Sequence, residues 1–140
     1  MAALFFLEVH TPYRLFYSNQ VQAIALTLID GEAAVYANHV PFTAPVVPCL
    51  LRIKNKEGKW ETAFTAEGIL EVKKGKTILV SDVAEWPAEI DCERAKAAKK
   101  KADEILHSGC MKFEKMQAVS SLRRAAMRLK AYTASAMPEQ

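Results

Sequence analysis

The sequence predicts an α+β chain, with an N-terminal antiparallel β-sandwich over residues 1–87 and a C-terminal antiparallel α-helical hairpin over residues 88–140. Three observations carry this reading. Apolar residues alternate with period two up to Trp86-Pro87. Beyond Pro87 they recur every three or four positions, with neither Pro nor Gly until Gly109. The first part is also punctuated by turn signals at Thr11-Pro12, Asp30-Gly31, Asn55-Lys56-Glu57-Gly58 and Lys73-Lys74-Gly75-Lys76.

Leu4–His10, Val21–Ile29 and Glu32–Ala37 are the first expected strands, followed by Leu50–Lys54, Lys59–Thr65, Ile69–Lys73 and Thr77–Ser81. Short strands spaced by such turns pack as a sandwich or barrel. The last four, with short Gly-containing connections, are expected to form a meander of hairpins. Pro41–Pro48 holds three prolines in eight residues. Each fixes φ and lacks an N–H, so an extended, weakly paired edge or crossover is expected there. A sandwich of about 85 residues buries only a modest core.

In the helical half, Ala95, Ala98, Ala102 and Ile105-Leu106 share one face by their spacing. Ser108-Gly109 interrupts, Gly being suited to the left-handed residue after a helix end. A second helix is expected from near Cys110 or Met111, with Val119, Leu122, Ala126 and Leu129 on its inner side and Phe113, Met116 and Met127 nearby. Two helices joined by so short a break form an antiparallel hairpin. An alanine face gains little from burial, at roughly 0.8 kcal/mol per methylene. The hairpin is therefore expected to be weakly held, both internally and against the sandwich, as a mobile element would be.

The chain has 140 residues, 51% apolar and 25% charged, which fits a folded domain and argues against disorder. No apolar run approaches the roughly 20 residues of a membrane helix. The opening Met-Ala-Ala-Leu-Phe-Phe-Leu-Glu lacks a signal peptide's basic start, so a soluble, unexported chain is expected. Cys49, Cys92 and Cys110 show no CxxC spacing and read as reduced thiols rather than disulfides or zinc ligands. The net charge of +3 divides unevenly at Pro87: residues 1–87 carry 8 Lys/Arg against 9 Asp/Glu, and residues 88–140 carry 11 against 7. The basic excess belongs to the helical half.

No catalytic grouping stands out. His10, His39 and His107 are scattered, and there is no HExxH, P-loop or GxGxxG. Lys99-Lys100-Lys101 and the set Arg123, Arg124, Arg128 and Lys130 form basic patches. A solvated helix face explains them, and an acidic protein surface is a more natural partner than nucleic acid, since stacking aromatics are lacking. Asp91 and Arg94 lie one turn apart at the start of the first helix, and Arg124 and Arg128 share a face of the second. If the hairpin folds back they surround an anion such as a triphosphate through bidentate guanidinium contacts; salt bridges between the helices explain the same residues.

At this point the chain resembles the epsilon subunit of bacterial F-type ATP synthases, over nearly its full length. Thr11-Pro12 followed by Arg14-Leu15-Phe16-Tyr17-Ser18 is similar to the family's opening signature. Gly31-Glu32 through Val35-Tyr36-Ala37-Asn38-His39-Val40-Pro41 resembles its G-E-x-G-[VI]-x-P-[GN]-H-A-P loop. Leu51-Arg52-Ile53, Gly68-Ile69-Leu70-Glu71-Val72 and Ala84-Glu85 follow in order. Ile90-Asp91-Cys92-Glu93-Arg94-Ala95 resembles [IL]-D-x-x-R-A, and Leu122-Arg123-Arg124-Ala125 the second-helix motif. Lys101 stands where ATP-binding members carry a further arginine.

The resemblance implies a ten-stranded sandwich at the foot of a central stalk, binding the gamma subunit and the ring of c subunits, with Glu32 and His39 facing that ring. It implies a hairpin that is either folded down or extended along gamma, inhibiting ATP hydrolysis when extended, with the beta and alpha subunits as partners in that state and Arg123, Arg124 and Arg128 meeting acidic residues of beta. In some members ATP binds the folded hairpin, which here points to Ile90, Asp91, Arg94, Arg124 and Arg128. The expected protein is a non-catalytic rotor subunit with no required cofactor or metal, ATP being a regulatory ligand. It would lie on the cytoplasmic face of a bacterial cell membrane, attached only through the complex, since a mitochondrial counterpart would carry a transit peptide. Two other readings compete: a free nucleotide-sensing module, and a basic helical-hairpin adaptor for nucleic acid, which would show steep salt dependence.

Overall fold

Alternating burial along β1 (Phe5–His10), with Phe5, Leu7 and Val9 inside, marks a strand with one core face. It pairs antiparallel with β2 (Leu15–Leu28), a strand of 14 residues, and parallel with β8 (Lys76–Ser81). Between them in sequence lie β3 (Gly31–Tyr36), β4 (Phe42–Val46), β5 (Cys49–Asn55), β6 (Trp60–Thr65) and β7 (Gly68–Lys73), and β9 (Ala84–Glu85) closes the set. The computed structural model describes residues 3–109 and 111–136. Over these, the chain divides into two units at Trp86/Pro87.

The first unit is a two-layer sandwich. One layer runs β4-β7-β8-β1 and continues onto the first half of β2; the other runs from β3 through the second half of β2 to β5, β6 and β9. The two halves of β2 thus serve different layers. Its pairing with β5 slips between Val21 and Ala23, leaving Gln22 as a bulge. A bulge bends its strand and increases local twist. It also shifts the side-chain phase, so that Ala23 and Ile24, adjacent in sequence, are both buried. Leu7, Val9, Ile24, Leu51, Ile53, Leu70 and Leu79 are fully enclosed in the core between the layers.

Four expectations are corrected. Nine strands, not ten, form among the described residues. The strand expected from Val21 begins at Leu15, because polar, exposed Ser18, Asn19 and Gln20 still pair with Glu8, Leu7 and Phe6. The proline-rich segment is the extended crossover, one of the two expected alternatives, but it is not weakly paired: β4 matches β7 over five positions and reaches β2 at Leu28↔Val46. Pro45 is tolerated because its carbonyl accepts the Ile29 N–H at 3.1 Å. The N–H and C=O of one strand residue face the same side, so the missing donor faces β2 and not β7. Finally, β5–β6 and β7–β8 are hairpins, but no meander joins them; β6 pairs with β9, and β7 with β4 and β8. Ser81 Oγ, donating to the Val83 carbonyl at 2.8 Å and near the Ala66 carbonyl, ties down the crossing between layers.

Trp86 ends the sandwich. Its ring stacks on Phe16 with centroids 4.7 Å apart and meets Tyr17 edge-on at 6.1 Å. Burial, then the negative charges of Glu61 and Glu57, hold the Tyr17 phenol above its ordinary pKa of 10.0. On the same region Arg14 lies over Phe16 at 5.0 Å and donates from Nη2 to the Ala84 carbonyl.

The second unit begins with a 3-10 turn (Pro87–Glu89) and continues into α1 (Cys92–His107) and α2 (Lys112–Ala136). Among the described residues the buried ones in α1 are Ala95 and Ala102, and in α2 Ala118, Ala125 and Ala131. The inner stripe of α2 is therefore shifted from the expected one: Val119 is exposed, and Leu122, Ala126 and Leu129 are half-buried at its margins. Small side chains win the seam because they let two helix backbones approach closely. Gly109 takes φ +71° after α1, and Cys110, one expected start of the second helix, lies outside the described residues.

Two predictions follow from the sandwich. A Cβ on Gly68 would overlap the Val80 carbonyl oxygen and crowd the backbone of Ser81, its register partner. Gly68→Ala is expected to cost about 2 kcal/mol or more, read as a lower urea midpoint with an unchanged slope. Glu8 receives His10 Nε2–H at 2.9 Å and faces Lys76 Nζ at 3.3 Å. The His10 hydrogen bond chiefly, with Lys76 assisting, outweighs desolvation and holds its pKa below the ordinary 4.5. That stabilisation is complete above 4.5 and is lost as pH falls through the lower folded value. The stability gap between wild type and Glu8→Gln should therefore shrink on acidification, measured as urea midpoints at neutral and acid pH.

Candidate functional site

Asp91 starts the helical unit chemically. Its backbone is extended (φ −84°, ψ 100°), and its carboxylate accepts the Arg94 N–H at 3.1 Å, an N-cap that satisfies one open donor of α1. Ile90 just before it is buried, its N–H given to the Pro87 carbonyl at 3.2 Å. Arg94 is exposed. The 3-10 turn packs against α2.

The open end of the hairpin collects the expected anion-binding residues. α1 has 16 residues, about 24 Å of helix. Arg128 lies 16 residues beyond Lys112, so antiparallel packing returns it to the level of the first turn of α1. Arg124 sits one turn before it on the same face, and both are half-buried. Asp91, Arg94, Arg124 and Arg128 are thus brought to one end, three cations and one carboxylate whose oxygen already caps a helix. Arg123 is exposed.

A groove that sequence reasoning did not anticipate lies nearer the closed end. It has a volume of about 420 Å³ and is lined by Ala98, Lys101, Ala102, Ile105, Ala118 and Ser121 among others. Ile90, Asp91, Arg94, Arg124 and Arg128 do not line it. The one sequence signal for it is the run of small residues on the facing sides of both helices.

The sandwich separates its two expected contact residues. Glu32 is exposed one residue into β3, opposite Thr27. His39 follows the other end of that strand, its Nδ1–H given to the Val40 carbonyl at 2.8 Å and its ring 5.1 Å from that of Phe42. Asn38 before it takes φ +65°, a left-handed conformation that asparagine tolerates better than most side chains. Glu32 and Tyr36 are four residues apart in extended chain, about 13 Å. A single flat partner touching Glu32 and His39 must span the length of β3.

Among the described residues, no group of three metal-ligating side chains converges, and no buried side-chain polar atom lacks a partner. No helix described is long and apolar enough to cross a membrane. The first unit is a sandwich with an aliphatic core, and the second is a basic helical pair whose buried described helix residues are alanines.

Comparison with known proteins gives this arrangement a family. Residues 4–87 match the family model described as ATP synthase, Delta/Epsilon chain, beta-sandwich domain. Residues 88–133 match the one described as ATP synthase, Delta/Epsilon chain, long alpha-helix domain. The chain belongs to the ATP synthase delta/epsilon family.

The ATP synthase epsilon chain of Caldanaerobacter subterraneus subsp. tengcongensis is 43% identical over 131 residues, covering 93% of this chain and 94% of that one. That of Caldicellulosiruptor saccharolyticus is 45% identical over 130 residues, covering 91% and 93%. Among solved structures, a chain of the Euglena gracilis mitochondrial ATP synthase (OSCP/F1/c-ring) superposes with a TM-score of 0.81 at 20% identity, covering 98% of this chain and 84% of that one. A chain of the Tetrahymena thermophila mitochondrial ATP synthase central stalk and c-ring gives 0.61 at 14% identity. These two show a shared fold. Membership in the epsilon-chain group makes this protein a non-catalytic subunit of the ATP synthase.

The Asp91 cap separates a structural role from a ligand role. Asp91→Ala should cost about 1 kcal/mol of stability in the helical unit, whereas Asp91→Asn keeps a capping oxygen and costs a few tenths. Helix circular dichroism during thermal melting would measure both. Equal losses in the two variants would show that the charge of the carboxylate, and not only its oxygen, supports the cap.

Proposed function

We propose that this subunit belongs to the rotor. The sandwich couples the gamma subunit to the c-ring, and the hairpin brakes ATP hydrolysis when it extends toward the catalytic head. The observation that carries this reading is the alanine seam: the buried described residues of both helices are alanines, while cationic side chains gather at the open end. A seam of this kind gives packed and parted states a small free-energy gap, which a ligand or partner with different affinity for the two can shift. Arg123, Arg124 and Arg128 suit acidic residues of a beta subunit, and Glu32 and His39 are the proposed contacts with the ring. The structural relatives come from an OSCP/F1/c-ring assembly and a central stalk and c-ring assembly, which supports a place beside the ring.

The same open end supports a regulatory ligand. Three guanidinium groups around Asp91 and Ile90 fit a triphosphate better than a smaller anion, since each arginine can take two oxygens. ATP bound there would favour the packed hairpin. The proposed location is the cytoplasmic face of a bacterial cell membrane, reached only through the complex, whose coupling ion is a proton or sodium. Nucleic acid is not favoured as a partner.

The decisive experiment is ATP hydrolysis by a cognate catalytic head lacking this subunit, with full-length chain or residues 1–87 added back and binding to the stalk checked for both. Binding by both with inhibition by full-length protein alone is expected. Binding by both without inhibition would remove the brake, and binding by neither would favour a free nucleotide sensor. Arg124→Ala with Arg128→Ala is expected to weaken inhibition and ATP binding together. Unchanged inhibition in that double variant would sink the electrostatic part of the reading.

A further inference from the structure

The outward face of the second layer carries an aromatic and cationic cluster. Register sets its rows. Tyr36, Ala23, Lys54 and Trp60 lie side by side across β3, β2, β5 and β6, and Ala34, Ala25, Arg52 and Thr62 form the next row. The alternate residues Val35, Ile24, Ile53 and Ala63 are enclosed in the core, so both rows face outward. Tyr36, Arg52 and Trp60 are exposed. Ala23 is buried without belonging to the core, because the long side chains of its own row enclose it.

Trp60 organises two cations. The Arg52 guanidinium lies 4.7 Å from the centroid of its ring, and Lys54 Nζ stands at 6.0 Å. A stacked guanidinium keeps its N–H groups in its own plane, open to a carboxylate, and loses less freedom when one binds. Among the described residues neither cation is in an ion pair. The carboxylates closest in sequence do not serve them: Glu61 alternates to the other face of β6, and the charges of Glu57 and Glu61 act on Tyr17. Beside Lys54 a hollow of about 230 Å³ is lined by Tyr36, Ala37, Gln22 and Ala23. That is room for a single side chain, below the roughly 300 Å³ at which small-molecule pockets begin.

We infer that this face is a receptor for an acidic protein segment, with one carboxylate held by Lys54 over the hollow and a second by Arg52 on Trp60. Charge complementarity selects the occupant. The two cations lie two residues apart on β5, about 7 Å, which matches carboxylates at alternate positions of an extended chain. Composition agrees. Trp, Tyr and Arg are the residues in which interface binding energy concentrates, and here they surround a floor of Ala23, Ala25 and Ala34 low enough for a backbone to lie on. The site lies wholly within the sandwich and is independent of the rotor reading.

The probe is an acetylated and amidated Glu-Ala-Glu tripeptide added to the full-length chain. It is followed through the indole N–H nuclear magnetic resonance signal of Trp60, identified by its loss in Trp60→Phe. Expected are a saturable shift of that signal, weakening as ionic strength rises, and no shift with Gln-Ala-Gln. Arg52→Gln and Lys54→Gln, which leave the core untouched, should each weaken binding about three- to fivefold; Lys59→Gln, at the opposite parity of the same hairpin, should change it less than about twofold. A peptide that shifts other signals but not Trp60, or an equal loss in Lys59→Gln, reduces the effect to diffuse charge and overturns the site. Equal shifts with Gln-Ala-Gln overturn the role of the cations. Equal affinity for glutarate would make a small dicarboxylate the ligand and overturn the protein segment. Location and peptide selectivity are read on wild-type protein, so they decide even if a variant folds poorly. Absence of any shift overturns the proposal and leaves the rotor reading intact.

Discussion

The architecture of the first unit depends on one strand that cannot stay straight. β2 meets β1 with its first half and β3, β4 and β5 with its second, so four strands register against it. The bulge at Gln22 reconciles these demands by shifting the side-chain phase, which keeps Val21 on one side of it and Ile24 on the other inside the same core. Without it, the second half would turn Ala25 and Thr27 to the interior in place of Ile24 and Leu26, since a one-residue slip exchanges the faces of a strand.

The second unit obeys the opposite economy. The sandwich encloses large aliphatic side chains, each a matter of about 1.5–3 kcal/mol on burial. The hairpin encloses alanines. Its chemistry lies outside the seam, in arginines at the open end and lysines along α1, and Asp91 caps α1 at that same end. The aliphatic core and the alanine seam thus lie in separate halves of the chain, and Trp86, stacked on Phe16, marks where the sandwich stops.

Much of this was legible in residue order, and the exceptions have physical causes. Turn residues such as Asp30-Gly31 and Lys74-Gly75 mark the hairpins because their backbone requirements are local. Ser18-Asn19-Gln20 hid half of β2, because pairing with β1 is a long-range fact that outweighs polar local preference. Pro45 argued against an inner strand, and only the direction of its carbonyl shows why it is tolerated. The expected α2 stripe was displaced because the larger side chains Val119 and Leu122 looked like the better core residues, whereas close helix approach selects the smaller Ala118 and Ala125. The basic set at the hairpin's open end was readable from spacing alone, but the groove near its closed end required the two helices to be laid side by side.

The alanine seam also sets how the hairpin responds to temperature. Parting two surfaces raises the heat capacity in proportion to the apolar area exposed, about 0.45 cal/K/mol for each Å². A seam of methyl groups exposes little such area, so in the proposed exchange the balance between packed and parted helices would have little curvature with temperature. The sandwich, with its aliphatic core, has the usual dome and loses stability on either side of it. Warming would then approach the limit of the scaffold while the proposed equilibrium of the hairpin drifts only steadily.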